Sequence, residues 1–206
     1  MQKYIFILLI LFYSCVTGQK FPVKRVFEYS KWYTINSKDL KKGDYFEDKE
    51  GKYNPYIGTW YYKKNDLVFI LKLQKVQFLF ASKDDKDYYW WYMDRMVSTF
   101  KMIKDNIVLI DNLDAPAINT FYQKGKKEKY QYGSFMIGAD KNSLEGQLRD
   151  TILKDFYADI YYNNIDDKIK IKFNKISFSC KHSVMGNEPL CLLPIEIELS
   201  RYKSDN

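Results

Sequence analysis

The side chains that do covalent chemistry are scarce in this chain of 206 residues, and His182 is its only imidazole. A Ser-His-Asp or Cys-His set needs a base held against its nucleophile. No G-x-S-x-G turn frames a serine here, and a lone histidine in a loop is ordinarily just solvated. Three cysteines, Cys15, Cys180 and Cys191, do not form a zinc-ligand pattern with that histidine. Asp84, Asp85 and Asp87 sit in a polar turn, where aspartate is favoured for local hydrogen bonding. They lack the glycine and glutamate of a calcium loop. Glycoside hydrolysis needs two opposed carboxylates. Asp94, Asp150 and Asp159 are candidates to face inward, but nothing in the pattern pairs them. No glycine-rich loop is present to cradle phosphate. The reading is a protein without catalytic residues, metal or cofactor.

The most distinctive chemistry is aromatic. Tyr88-Tyr89-Trp90-Trp91-Tyr92 puts large rings on both faces of one strand. Read functionally, Tyr88, Trp90, Trp91 and Tyr92, with Trp60, form a wall on which a lipid or sugar stacks. Read plainly, the run is a core strand whose second face is covered by the N-terminal arm. The plain reading is the commoner case, because aromatic rings dominate ordinary cores.

The N-terminus speaks to location. A charged opening, Met1 to Lys3, precedes the apolar run YIFILLILFY and then Ser14-Cys15. A spanning helix needs roughly 20 apolar residues, so this run is expected to be an export signal over residues 1–18 and not an anchor. Two ways of processing stay open. Cys15 becomes the lipidated first residue of a bacterial lipoprotein, which Ser14 favours and Phe12-Tyr13 do not. Otherwise an ordinary peptidase cuts after Gly18. The lipoprotein is favoured, and its acyl chains, at about 0.8 kcal/mol per buried CH₂, would hold it to a membrane. The expected location is the bacterial outer membrane or periplasm, with secretion as the alternative. In an oxidising compartment the remaining pair, Cys180 and Cys191, is expected to form a disulfide, a closure of about 3 kcal/mol by chain entropy. Two buried free thiols are the other reading.

The formal charge of +7 invites nucleic acid as a partner, and the residue types argue against it. Nearly all the positive charge is lysine; the arginines are Arg25, Arg95, Arg149 and Arg201. Bidentate recognition of phosphate or bases favours arginine. The lysines alternate with acids, as a solvated surface does. The expected partners are a membrane through the acyl anchor and a small hydrophobic or saccharide ligand. The expected state is a monomer.

The elements that must position these residues read as strands. Residues 19–56 show neither period 2 nor period 3.6 and are expected to be a polar linker or loosely packed arm. Phe27, Tyr29, Trp32 and Tyr33 are its docking points. From Ile57 the texture changes. Leu67, Phe69, Leu71 and Leu73 alternate with neighbours of the opposite phase, and Ile169, Ile171 and Phe173 alternate with lysines. Leu193, Ile195, Ile197 and Leu199 repeat the pattern with glutamates. Period 2 marks half-buried antiparallel strands. Further strands are read at Val76–Ala81, Tyr88–Met93, Ile107–Ile110, Tyr130–Ile137 and Phe156–Tyr162, with Leu144–Leu153 ambiguous. Asn174-Lys175 breaks the phase as a bulge does. Cys180 and Cys191 fall on the inward phase of their strands, at the neck of the hairpin that carries His182. Roughly ten strands with short turns predict an all-β domain over residues 57–202, an antiparallel barrel or a two-sheet sandwich. Residues 203–206 are a tail.

Ile57-Gly58-Thr59-Trp60, with Ser14-Cys15 after the apolar run, resembles an uncharacterised family of short lipoproteins from Bacteroidetes, especially flavobacteria. Leu193-Pro194-Ile195-Glu196-Ile197-Glu198-Leu199 looks like that family's closing strand. The resemblance covers most of residues 57–202. It implies an exported protein with a variable linker and a G-T-W-initiated β domain, and it carries no activity. Gly58 and Trp60 are also similar to the G-x-W entry strand of lipocalin-like barrels, whose tryptophan closes the barrel's end. That likeness concerns fold alone. The aromatic run and the residues ahead of Cys15 depart from the family pattern.

Overall fold

Alternation becomes strand wherever one face is buried. Lys168–Phe173 reads KIKIKF; Ile169, Ile171 and Phe173 turn inward and the lysines turn outward. Across the neighbouring strand Lys168 and Lys170 reach Glu198 and Glu196, both at 2.7 Å. Such exposed pairs fix register more than they add stability. The computed structural model describes residues 21–83, 88–117, 120–123, 133–138, 142–149, 155–174 and 189–202.

In chain order the strands are β1 (Arg25–Glu28), β2 (Asp44–Glu47), β3 (Gly58–Lys64), β4 (Leu67–Lys83), β5 (Tyr88–Lys104) and β6 (Ile107–Asp111). Then follow β7 (Thr120–Gln123), β8 (Gly133–Ile137), β9 (Ser143–Arg149), β10 (Asp155–Asn163), β11 (Lys168–Phe173) and β12 (Glu196–Arg201). Eight of them close into an antiparallel barrel in the order β5-β8-β9-β10-β11-β12-β3-β4 and back to β5. The closing seams are short: Ser200 and Arg201 pair with Tyr61 and Trp60, and Met96 and Val97 pair with Phe135 and Ser134. The fold is therefore the lipocalin-like barrel, and the sandwich alternative falls away.

An eight-stranded barrel is just wide enough for side chains to fill. Here Phe69, Leu71, Leu73, Phe100, Met102, Phe135, Leu144, Ile160, Ile171 and Leu199 pack its inside. Trp60 forms the floor. It is fully buried, its Nε1 donates to the Tyr56 carbonyl at 2.8 Å, and the Arg201 guanidinium lies 4.2 Å from its ring centre. Arg201 is itself held by Asp167 at 2.8 and 2.9 Å and by the Ile57 carbonyl at 2.9 Å. Gly58 admits that approach. Its φ is +139°, and a Cβ there would meet Arg201 Nη1 at 2.7 Å.

The strands β4 and β5 are each 17 residues long and outrun the barrel. Beyond it, β5 takes β2 in parallel on its free edge, β2 takes β1, and β4 takes β7. A mixed five-stranded annex, β1-β2-β5-β4-β7, thus rises from one rim. Residues 21–56 are consequently not the loose arm that their composition suggests. They supply two strands, and Tyr29, Phe46, Tyr53 and Tyr56 enter the core. Asp44 in β2 is wholly buried and takes two bonds of 2.6 Å from Arg25 in β1. Phe27 stacks on Phe46 at 5.6 Å.

Candidate functional site: the aromatic annex

Directly opposed residues of two paired strands share a face. In the annex Phe80 opposes Trp91 and Phe78 opposes Met93, whereas Ala81 opposes Trp90 and Leu79 opposes Tyr92. The run of rings at 88–92 is thereby divided between two sides. Trp91 lies on one. Its ring is stacked on Phe80 at 3.9 Å with 8° between planes, and on Trp32 from the N-terminal segment at 4.7 Å and 21°. Phe46 meets it edge-on at 6.1 Å. The three stacked rings are each half-buried, so their edges reach solvent. Arg95 stands on the same side, 5.5 Å from the centres of both Phe78 and Phe80.

Trp90 and Tyr92 lie on the other side, under residues 21–24. Trp90 Nε1 donates to the Pro22 carbonyl at 3.2 Å, Phe21 packs on its ring at 5.8 Å, and Lys24 Nζ sits 5.5 Å above it. The Tyr92 hydroxyl donates to the Phe21 carbonyl, and the residue is buried. Trp60 is far from both, in the barrel floor. Tyr88 opens β5, and its side chain lies outside the described residues. The expected single wall of Trp60, Tyr88, Trp90, Trp91 and Tyr92 therefore reduces to Trp91, joined by Trp32 and Phe80. Period 2 on one strand sends successive rings to opposite faces.

Where the annex leaves the barrel, two carboxylates are buried together. Lys75 Nζ stands 3.8 Å from Asp48 and 3.7 Å from Asp94. Tyr45 donates to Asp94 Oδ1 at 2.7 Å and the Asp48 amide to its Oδ2 at 2.9 Å. Asp48 in turn accepts from the amides of Lys52 and Tyr53 at 2.8 and 3.0 Å. These oxygens are engaged in holding the turn at 48–53 against β5, which is an architectural task. Asp159, an inward candidate by sequence, faces outward: it opposes Glu145 and takes a bond from Asn174 at 2.5 Å. These two acids border a shallow cleft of about 410 Å³ with Tyr33, Met136 and Tyr157. Asp150, Asp84, Asp85 and Asp87 lie outside the described residues. Among the described residues no three of His, Cys, Asp and Glu stand close enough to hold a metal ion.

Tyr29 and Tyr53 line the base of the annex. Burial pushes both phenols well above their ordinary pKa, and the neighbouring Tyr29 raises Tyr53 further, whereas Tyr53 lowers Tyr29. The Tyr53 hydroxyl donates to the Asp94 carbonyl at 3.1 Å and accepts from the Ile137 amide at 3.3 Å. Burial also raises Tyr45, and its bond to Asp94 adds to that.

Cys191 corrects the hairpin reading. It occupies a 3-10 turn, Pro189–Leu192, half-buried against the core, and not an inward strand position. The proline opening that turn removes an amide that a strand would need. Cys180, His182 and Cys15 lie outside the described residues, as does the bulge expected at Lys175.

The residues that sequence reasoning passed over are Phe78, Phe80 and Arg95. Phe80 lies in a run, Val76–Ala81, that reads as plain core strand. Its pairing with Trp91 across the ribbon was the only signal that could have found it, and that needs the register of the β4–β5 hairpin.

The sequence profile of a family described as a family of unknown function, DUF6705, matches residues 1–181, and the chain belongs to that family. No curated protein and no solved structure matches it.

Proposed function

We propose that this DUF6705 protein is a non-catalytic binding protein of the bacterial cell envelope, taking a saccharide or hydrophobic ligand on the Trp91 face of its annex. The observation that carries this is the three-ring stack of Trp32, Trp91 and Phe80, left half-buried outside a barrel whose inside the described side chains pack. Lipocalin-like barrels that hold a ligand do so within the barrel; here, among the described residues, large side chains occupy that space, which favours a surface outside it. Offset or parallel ring stacks present apolar edges and faces on which sugars and acyl chains gain contact.

Titration of the purified protein with envelope glycans and lipids, read by tryptophan emission, tests the proposal. Trp91→Ala is expected to weaken binding at least about tenfold, or 1.4 kcal/mol. Trp90→Ala, on the opposite face, is expected to leave affinity within about twofold. Equal effects of the two variants, or binding indifferent to both, would remove the annex from the function.

The filled barrel also favours a second reading, a structural or protein-interaction module of the envelope. Its outer surface includes the exposed Tyr157 and Tyr161 of β10 and Ile195 ahead of β12. Recovery of partner proteins lost on Tyr157→Ser but kept by Trp91→Ala would select this reading.

Envelope location rests on the signal expected at 1–18, with Cys15 acylated, and on a Cys180–Cys191 disulfide. The mass of the protein recovered from bacterial membranes is expected to match acylated Cys15 and the chain beyond it. It should rise by about two daltons on reduction, one hydrogen for each sulfur of the bond. A mass beginning near Gln19 without acyl groups would make the protein a freely soluble one.

A further inference from the structure

Arg95 is the member of the annex whose chemistry the fold leaves unused. It follows the buried Asp94 on β5 and turns to the opposite side, the side of Met93 and Trp91. Phe78 and Phe80 each hold its guanidinium at 5.5 Å. Arg25 and Arg201 are bound to Asp44 and Asp167. Arg95, among the described residues, has no carboxylate within ion-pair distance, and its Nε is closed off from solvent without an acceptor.

A guanidinium is always charged and offers five donors in one plane. Aromatic rings favour the cation above their faces, but they accept none of its in-plane N–H groups. An arginine held between rings in this way keeps N–H groups that the rings do not accept, available to a planar or tetrahedral oxyanion. A dry donor without an acceptor is a cost to the folded protein unless something else supplies the acceptor. The chain's formal charge of +7 draws anions toward it from a distance.

We infer that Arg95 anchors the acidic group of the ligand, and that the ligand is an acidic saccharide whose rings lie along Trp32, Trp91 and Phe80. This deepens the annex reading above and rests on it. The shared chemistry is an oxyanion, which a sugar acid or a free phosphate would each supply.

The test uses the full mature chain labelled with ¹⁵N. The Arg95 Nε–H resonance is assigned as the one absent from Arg95→Gln. Three probes are titrated: trigalacturonate, its neutral methyl ester and inorganic phosphate. Trigalacturonate is expected to shift the Arg95 resonance saturably and quench tryptophan emission, with affinity at least about tenfold above that of the ester. Arg95→Gln is expected to abolish that preference and Arg95→Lys to keep part of it. Arg95→Met, without any probe, is expected to melt no lower than the parent chain, because an unpaired charge is removed.

Equal affinity for acid and ester, with Trp91→Ala still abolishing both, overturns the anion site and leaves the aromatic face standing. A shift with phosphate and none with trigalacturonate overturns the saccharide assignment. A large drop in melting temperature for Arg95→Met, with no shift from any probe, makes Arg95 a packing residue and overturns the inference. Binding of other envelope glycans that ignores Trp91 overturns the annex reading itself.

Discussion

Trp60→Ala is expected to lower the stability of the protein by about 3–5 kcal/mol, the range for removing a large aromatic side chain from a packed core. Urea unfolding at neutral pH measures it. Domains of this size keep only about 5–15 kcal/mol in all, so the variant would sit near the edge of folding. The loss has three sources. The largest is the cavity left in the barrel floor, where Trp60 is fully buried beside Tyr56 and Tyr162. The second is the Tyr56 carbonyl, which loses the indole N–H. The third is Arg201, whose guanidinium would lose the ring it covers while still held by Asp167 and the Ile57 carbonyl. Trp60→Phe retains most of the packing and is expected to cost much less, with the unsatisfied carbonyl contributing about 1 kcal/mol. A loss below about 1 kcal/mol for the alanine variant would mean that the floor is shut by other side chains.

The second large effect is alkaline. Tyr29 and Tyr53 are buried, and burial raises both phenols above the ordinary tyrosine pKa near 10. In the unfolded chain they ionise from about pH 10; in the folded chain they keep their protons. Above that pH the unfolded state binds fewer protons than the native state, so stability falls as pH rises. The contribution is fully present below the unfolded pKa and disappears through the folded one. Each group contributes a slope of up to about 1.4 kcal/mol per pH unit. Two give about 3 kcal/mol per unit above pH 10, enough to unfold the protein within a few units. Urea midpoints between neutral pH and pH 11.5, with phenolate absorbance followed in parallel, measure the slope. Tyr29→Phe is expected to reduce it by at most about half, because Tyr45, raised as well, keeps its share. A flat profile across pH 10–11 would show that both hydroxyls reach water in the native state.

Several parts of the barrel can be read directly along the chain. The first half of β4, β11 and β12 alternate cleanly because one face meets the core and the other meets water; Ile169, Ile171 and Phe173 are buried between exposed lysines. The second half of β5 is not legible that way. Met96, Ser98, Phe100 and Met102 face inward, yet Val97 and Thr99 are buried too, and the chain at Asn112 and Leu113 returns over Thr99. With both faces covered, no contrast of period 2 survives. β1, β2 and β7 are four residues each and pair in parallel with strands distant along the chain. Local pattern carries no information about such partners.

The same division applies to the candidate site. Composition alone singled out the rings at 88–92, and a strand there required alternate rings to part company. It could not say which ring would be joined by Trp32, 59 residues earlier by their numbers, or that Phe80 would complete the stack. Nor could it single out Arg95 among four arginines, since lacking an acidic partner is a property of the neighbourhood and not of the residue. What the sequence by itself determined is the all-β class, the strands with one wet face, and the tryptophan and glycine that open the barrel, because these follow from period 2 and from local conformation. Closure of eight strands into a filled barrel, the annex, the buried Asp48–Lys75–Asp94 group and the exposed side of Trp91 were decided only in the tertiary structure, because each depends on register between segments far apart in the chain.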